Sequence, residues 1–253
     1  MTTWRAVGAS VAGASHRVRG VPCQDAFSLH VDDEGLVIVV CDGAGSAVHA
    51  DVASRLVCDA FSVEGRRQAR CPSGPDVEAL LAASRRAIED AARERNAPIR
   101  EFACTLLGAI VTATWSLFVQ IGDGAIVAAN TEDFAPIFWP SHGEYANETH
   151  FLTDAEPHHV QCLVTSDRPT RLAMFTDGLE RVALRIADRA AHQPFFGALF
   201  TSLAAEHTSE AAFSHALHAW LASDRLSTRT DDDLTLVLAA TNVPTRREAA
   251  DGS

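Results

Sequence analysis

The sequence predicts a single mixed domain of strands and helices, and three observations predict it. Short apolar runs stop at a carboxylate followed by glycine three times, at Asp42-Gly43, Asp123-Gly124 and Asp177-Gly178. Between them lie longer stretches with apolar residues at helical spacing. The 253 residues are 47% hydrophobic and 21% charged, with no internal repeat or linker, which suffices for one substantial core.

Residues 4–12 alternate loosely, as a first strand does. Residues 13–24 are crowded with polar groups and read as a loop, and residues 27–31 alternate like a half-buried strand. Asp32-Asp33-Glu34-Gly35 is a hairpin turn into residues 36–40, whose unbroken aliphatic run reads as a fully buried strand. Asp25 and Asp42 therefore flank one hairpin and fall at the same end of an antiparallel pair. After Ser46 the pattern turns helical, with Val48, Val52, Leu56, Val57 and Phe61 on one face, and residues 62–74 read as loop. Pro75-Asp76 opens a second helix, with Val77, Leu80, Leu81, Ile88 and Ala91 or Ala92 turned inward.

Residues 102–114, 115–122 and 125–129 read as three strands. Residues 132–171, with four prolines, are irregular, with short strands at Phe151-Leu152 and 160–164. His142, His150, His158 and His159 lie there, match no zinc spacing and read as surface residues. Helices follow at 195–203 and 210–221. The second has Ser209 as its cap and Phe213, Leu217, Trp220 and Leu221 as its apolar stripe. Residues 234–240 form the last strand. The domain is expected to span residues 1–242, with 243–253 a disordered polar tail.

An Asp-Gly pair is a common turn. Here the pattern recurs at the ends of core strands, and Asp231-Asp232-Asp233 precedes the last one. Carboxylates gathered in this way repel one another and call for a cation. An all-oxygen set favours Mg²⁺, Mn²⁺ or Ca²⁺ over zinc or copper. Gly43 and Gly45 let the backbone turn sharply beside a ligand.

The net charge of −12 and pI near 5.3 argue against a nucleic-acid surface. All 21 basic residues are Arg. With no Lys, the P-loop and protein-kinase mechanisms are excluded. Six scattered Cys without a Cys-x-x-Cys pair suit a reducing compartment, so a cytoplasmic location is expected. No run is long enough to span a membrane, and no apolar leader is evident.

The ordered set of motifs resembles the metal-dependent protein Ser/Thr phosphatases of type 2C, in their bacterial form. It comprises Gln24-Asp25, Asp42-Gly43-Ala44-Gly45-Ser46 with His49 and Asp51, Thr105-Leu106, Gly122-Asp123-Gly124, Thr176-Asp177-Gly178 and Asp232-Asp233-Leu234-Thr235. The resemblance covers roughly residues 5–241. It implies an α+β fold: a four-layer α-β-β-α sandwich of two antiparallel sheets flanked by helices. It also implies two Mn²⁺ or Mg²⁺ ions. Asp42 would bridge them, the Gly43 carbonyl would bind one, Asp177 and Asp232 the other, and Asp25 would act through waters. Asp123 would hold a third, weaker ion. A hydroxide bridging the ions would attack the phosphate monoester of a phosphorylated protein without a covalent intermediate. A monomer opposing a bacterial Ser/Thr kinase is the expected setting.

Three departures from the family pattern stand out. The phosphate-binding Arg before the first acidic pair is missing, with Gly20 five residues before Asp25. His16, or failing it Arg17 or Arg19, is expected to replace it, with His16 in the catalytic set beside Asp42. Ala44 stands where animal members carry a general-acid His. The interval from Asp123 to Asp177 is short for a full flap, so the flap is expected to be reduced. A catalytically weak or inactive binding module on the same fold is the competing reading. A haloacid-dehalogenase mechanism is disfavoured because Val40 stands where its Asp-x-Asp motif needs an acid.

Overall fold

The computed structural model describes residues 4–71, 73–140, 149–154, 159–205 and 209–241. The chain begins with strand β1 (Trp4–Val11) and helix α1 (Ala14–Arg19). The hairpin β2 (Ala26–Asp32) and β3 (Gly35–Cys41) leads to helices α2 (Ala50–Ala69) and α3 (Val77–Glu94). Strands β4 (Leu106–Thr112), β5 (Ser116–Ile121), β6 (Ala125–Ala129), β7 (Ala135–Pro136), β8 (Gln161–Thr165) and β9 (Arg171–Phe175) follow. After them come α4 (Glu180–Ala183), the short hairpin β10 (Leu184–Arg185) and β11 (Ala190–Ala191), and helices α5 (Gln193–Ala204), α6 (Glu210–Leu221) and α7 (Asp224–Ser227). Strand β12 (Leu234–Thr241) closes the fold.

Two five-stranded sheets, antiparallel throughout, carry the architecture. One has the order β2-β3-β4-β5-β8 and the other β1-β12-β9-β6-β7. The period-2 alternation of strands sorts β3 between two cores. Leu36, Ile38 and Val40 meet Met174, Val237 and Ala239 of the opposite sheet. Val37, Val39 and Cys41 face outward against Val57, Cys58 and Phe61 of α2. Phe196 and Phe200 of α5, with Phe213 and Leu217 of α6, cover the other sheet's outer face. Four layers result, helix-sheet-sheet-helix, as the resemblance implied.

Local reading fails in four places. Residues 14–19 are a helix rather than loop, held by contacts from the far end of the chain: Ser15 N–H donates to the Asp231 carbonyl at 3.2 Å. Helix α2 continues to Ala69 because Gly65 lets it lie close on the sheet, where an added Cβ would stand 3.0 Å from Val37 Cγ1. That helix starts only at Ala50, so Val48 precedes it and is exposed. Phe151-Leu152 forms no strand; Leu152 N–H donates to the Cys104 carbonyl at 2.8 Å as the chain turns. His142, His158, the residues 141–148 and 155–158 of the expected flap, and the tail 243–253 lie outside the described residues.

Candidate active site

Every singled-out carboxylate sits at one end of the sandwich. Ala26 pairs with Cys41, so Asp25 and Asp42 lie side by side where that hairpin opens. Asp123 occupies the turn from β5 to β6, Asp177 follows β9, and Asp232 and Asp233 precede β12. Phe175 pairs with both Leu236 and Ala125, which brings these three segments together. Asp42, Gly43, Asp123, Asp177 and Asp232 line one cavity of about 340 Å³.

Asp25 lies beneath it, 5% exposed. Its Oδ2 accepts hydrogen bonds from Thr176 Oγ1 and Thr235 Oγ1, both at 2.8 Å. Its Oδ1 is buried and has no partner among the described residues; the same holds for Asp177 Oδ1 and Gln24 Oε1. Burial pushes Asp25 up to about 8 despite the two threonine hydroxyls, with the charges of Asp233 and Asp177 adding to the rise. Asp177 is pushed up to about 7 by burial and by the charges of Asp123 and Asp232. Asp42 lies well above the usual carboxylate range through burial and then Asp25, Asp177, Asp232 and Asp123. Asp232 is raised as well, burial first. All these shifts point to a cluster short of positive charge.

Asp233 has a different task. Its Oδ1 accepts from Gly13 N–H at 2.6 Å and lies 2.8 Å from His16 Nδ1, and its Oδ2 accepts from Gln24 N–H at 2.6 Å. The carboxylate, 2% exposed, thereby pins both ends of the segment that leads to Asp25. His16 is consequently buried, with one ring nitrogen committed, although it borders the cavity. Arg19 also borders the cavity and is held to its own helix by Nε to the Ser15 carbonyl at 3.2 Å. Arg17 does not border it and donates to the Ala12 carbonyl.

Thr105, Thr149, Thr176 and Thr235 are the supports that sequence reading left without a role. Asp42 N–H donates to Thr105 Oγ1 at 2.9 Å, and Thr149 Oγ1 donates to Asp123 Oδ2 at 2.5 Å. Three of them stood inside the quoted motifs, which was the available signal, but the acids they hold, Asp25 and Asp42, lie at least 63 positions away in sequence.

Among the described residues, no three His, Cys, Asp or Glu side chains form a finished cage for an ion. The residues nonetheless fit hard divalent cations that keep several waters of their own. The donors are oxygens, two buried carboxylate oxygens lack partners, and the acids raise one another's proton affinity. Gly43 packs so tightly on α2 that a Cβ there would stand 2.7 Å from the Ala50 carbonyl, which keeps the backbone against the cavity.

Comparison with known proteins agrees with this geometry. The family model of Protein phosphatase 2C matches residues 12–222. Serine/threonine-protein phosphatase 3 of Escherichia coli (strain K12) is 35% identical over 248 residues, which is 94% of this chain and 98% of that protein. The structure of the Mycobacterium tuberculosis serine/threonine phosphatase PstP/Ppp superposes with a TM-score of 0.63 at 18% identity, covering 94% of this chain and 98% of that one. The PstP catalytic domain in complex with 2 manganese ions gives 0.62 at 20% identity, over 95% and 99%. RsbX in complex with magnesium gives 0.57 at 16% identity, over 95% and 100%. Matched over most of its length by the family model, and nearly end to end by a relative above a third identical, the chain belongs to the protein phosphatase 2C family and is a serine/threonine protein phosphatase.

Proposed function

We propose that this phosphatase is metal-dependent and removes phosphate from phosphoserine and phosphothreonine in proteins, opposite a Ser/Thr kinase. The observation that carries the reading is the pair of buried, unpartnered oxygens, Asp25 Oδ1 and Asp177 Oδ1, in a cluster of mutually repelling acids. Two Mn²⁺ or Mg²⁺ ions would be held by Asp42, the Gly43 carbonyl, Asp177 and Asp232, with Asp25 reached through water and Asp123 at a third position. Bound there, divalent cations neutralise the ester and make water a nucleophile at neutral pH.

The chain's own part is to place these groups. Thr176 and Thr235 fix one oxygen of Asp25 and leave the other for a water. Thr105 holds the Asp42 backbone, and Thr149 aims Asp123. Of the three basic candidates for the phosphate, Arg19 and His16 border the cavity and Arg17 does not. We assign the phosphate contact to Arg19. His16 Nδ1 is engaged by Asp233, so that side chain first serves to position the Asp25 segment and offers only Nε2 to a substrate. Six free cysteines, three of them buried, support action in a reducing cytoplasm, and a monomer is the form proposed.

Release of phosphate from p-nitrophenyl phosphate and from phosphoserine and phosphothreonine peptides, with and without Mn²⁺, tests the reading. Turnover restored by Mn²⁺ or Mg²⁺ after EDTA treatment, and only poorly by Zn²⁺, is expected. Full activity in exhaustively chelated protein would defeat it.

A further inference from the structure

Helix α5 is unusual for an outer layer: its twelve residues, Gln193–Ala204, include no charged side chain. One face, Phe196, Phe200 and Leu203, is buried in the core. Phe195 and Leu199, half-buried at the flank of that face and packed against the same core, also line a second cavity of about 360 Å³, beside Trp220 of α6 and Leu226. The Phe195 and Trp220 rings are 6.0 Å apart at 47°, so the apolar wall is continuous. The apolar stripe of α5 is thus wider than its buried part, and its flank opens into the hollow. Arg225 and Arg229 also line the cavity. Both are exposed, and neither side chain is hydrogen-bonded or ion-paired among the described residues. In a chain of net charge −12, two exposed guanidinium groups beside an apolar hollow select an anionic visitor.

The place of the cavity matters as much as its lining. Val182, on its wall, lies five residues beyond Asp177, and Arg229 lies three residues before Asp232. Two walls of the hollow are thus direct continuations of the segments that carry candidate metal ligands. We propose that this cavity docks an acidic segment of the phosphoprotein substrate through an apolar anchor, beside the catalytic cluster. The anchor, a Leu or Phe, fills the space between Phe195, Leu199 and Trp220, and neighbouring Asp or Glu side chains pair with Arg225 and Arg229. The volume falls at the small end of ligand sites and suits an anchor with its flank rather than a whole folded surface. The substrate identity rests on the phosphatase reading above; the cationic and apolar chemistry of the cavity does not.

The test compares three substrates: p-nitrophenyl phosphate, a phosphoserine peptide flanked by Gly and Ser, and the same peptide with a Phe-Glu-Leu-Glu flank on Gly-Ser spacers of graded length. Arg225→Glu with Arg229→Glu reverses the rim, and Ala198→Phe, at an exposed cavity position, fills the hollow without touching the core. The wild type should prefer the flanked peptide at the best spacer length, and both variants should lower its kcat/KM by about tenfold or more. Both variants should hydrolyse p-nitrophenyl phosphate as the wild type does. Equal kcat/KM for flanked and unflanked peptides at every spacer length, or an equal loss on all three substrates, would overturn the proposal. Titration calorimetry with the unphosphorylated flanked peptide decides docking separately from catalysis: binding lost in both variants supports it, and no binding to the wild type refutes it. A protein that binds this peptide yet hydrolyses nothing would refute the phosphatase reading and leave docking standing. A dimer dispersed by Ala198→Phe would give the cavity to a second copy and refute the proposal.

Discussion

Asp233 receives hydrogen bonds from Gly13, His16 and Gln24, whereas its neighbour Asp232 stands exposed at the cavity, so the two replacements by Ala should separate cleanly. Asp233→Ala strands two buried backbone donors and the His16 ring, at about 1–3 kcal/mol for each unsatisfied group, and a loss of about 3 kcal/mol or more in urea unfolding is expected. Asp232→Ala should leave the unfolding midpoint of the chelated protein nearly unchanged and raise the Mn²⁺ concentration needed for half-activation by at least about tenfold. Asp42→Asn should reduce turnover by about a hundredfold or more while the metal-free protein keeps its melting temperature, because burial and the neighbouring acids already disfavour a charge there and the amide carries none. Substantial turnover in Asp42→Asn would defeat the assignment. The acids were legible as acids after strands. The division of labour between Asp232 and Asp233 was not, because it depends on donors at Gly13 and Gln24, more than 200 positions away.

Elements whose reasons are local were readable, and those fixed by remote contacts were not. The β2–β3 hairpin announces itself by alternation and a turn, and the Asp76 and Ser209 caps accept from Ala79 N–H at 3.0 Å and Ala212 N–H at 3.2 Å. Helix α1 has six residues, no side-chain cap and a basic last turn; its support comes from Asp231 and Asp233. Helix α2 runs to Ala69 although a loop was expected from Ser62, because Gly65 is a poor helix former whose missing side chain is what the packing needs. Gly108 of β4 has the same function from the sheet side, since a Cβ there would stand 2.3 Å from Phe61 Cζ. Gly108→Ala should therefore cost about 1–3 kcal/mol of stability by forcing Phe61 off the sheet. An unchanged urea midpoint in that variant would show that α2 rides higher than described.

For the molecule as a whole, the acidic end makes stability depend on pH in an unusual direction when metal is withheld. Asp25 and Asp177 titrate near 8 and 7 in the folded chain against an ordinary 3.8. Between those limits the folded state holds more protons than the unfolded one, so stability falls as pH rises. Their contribution is complete below 3.8 and is lost through 7 and 8. Chelated protein should melt at a higher temperature at about pH 5.5 than at about pH 8.5, and saturating Mn²⁺ should shrink or invert the difference. Calorimetry at the two pH values, with and without the ion, measures it. A chelated protein that gains stability toward high pH would mean that the acids are already compensated.

Strand β12, the last element, lies between β1 and β9 and joins the first strand to the rest of its sheet, and the Asp233 clamp sits at its entrance. The other sheet is assembled from residues 26–165, mostly from neighbours in sequence, and can form while the rest of the chain is still being made. The β1 sheet lacks the strand that ties β1 to β9 until residue 241 has left the ribosome, and until then Asp25 has neither Thr235 nor the clamped segment to hold it. A nascent chain therefore carries half a scaffold and no catalytic competence, so dephosphorylation begins only once translation of the domain is complete.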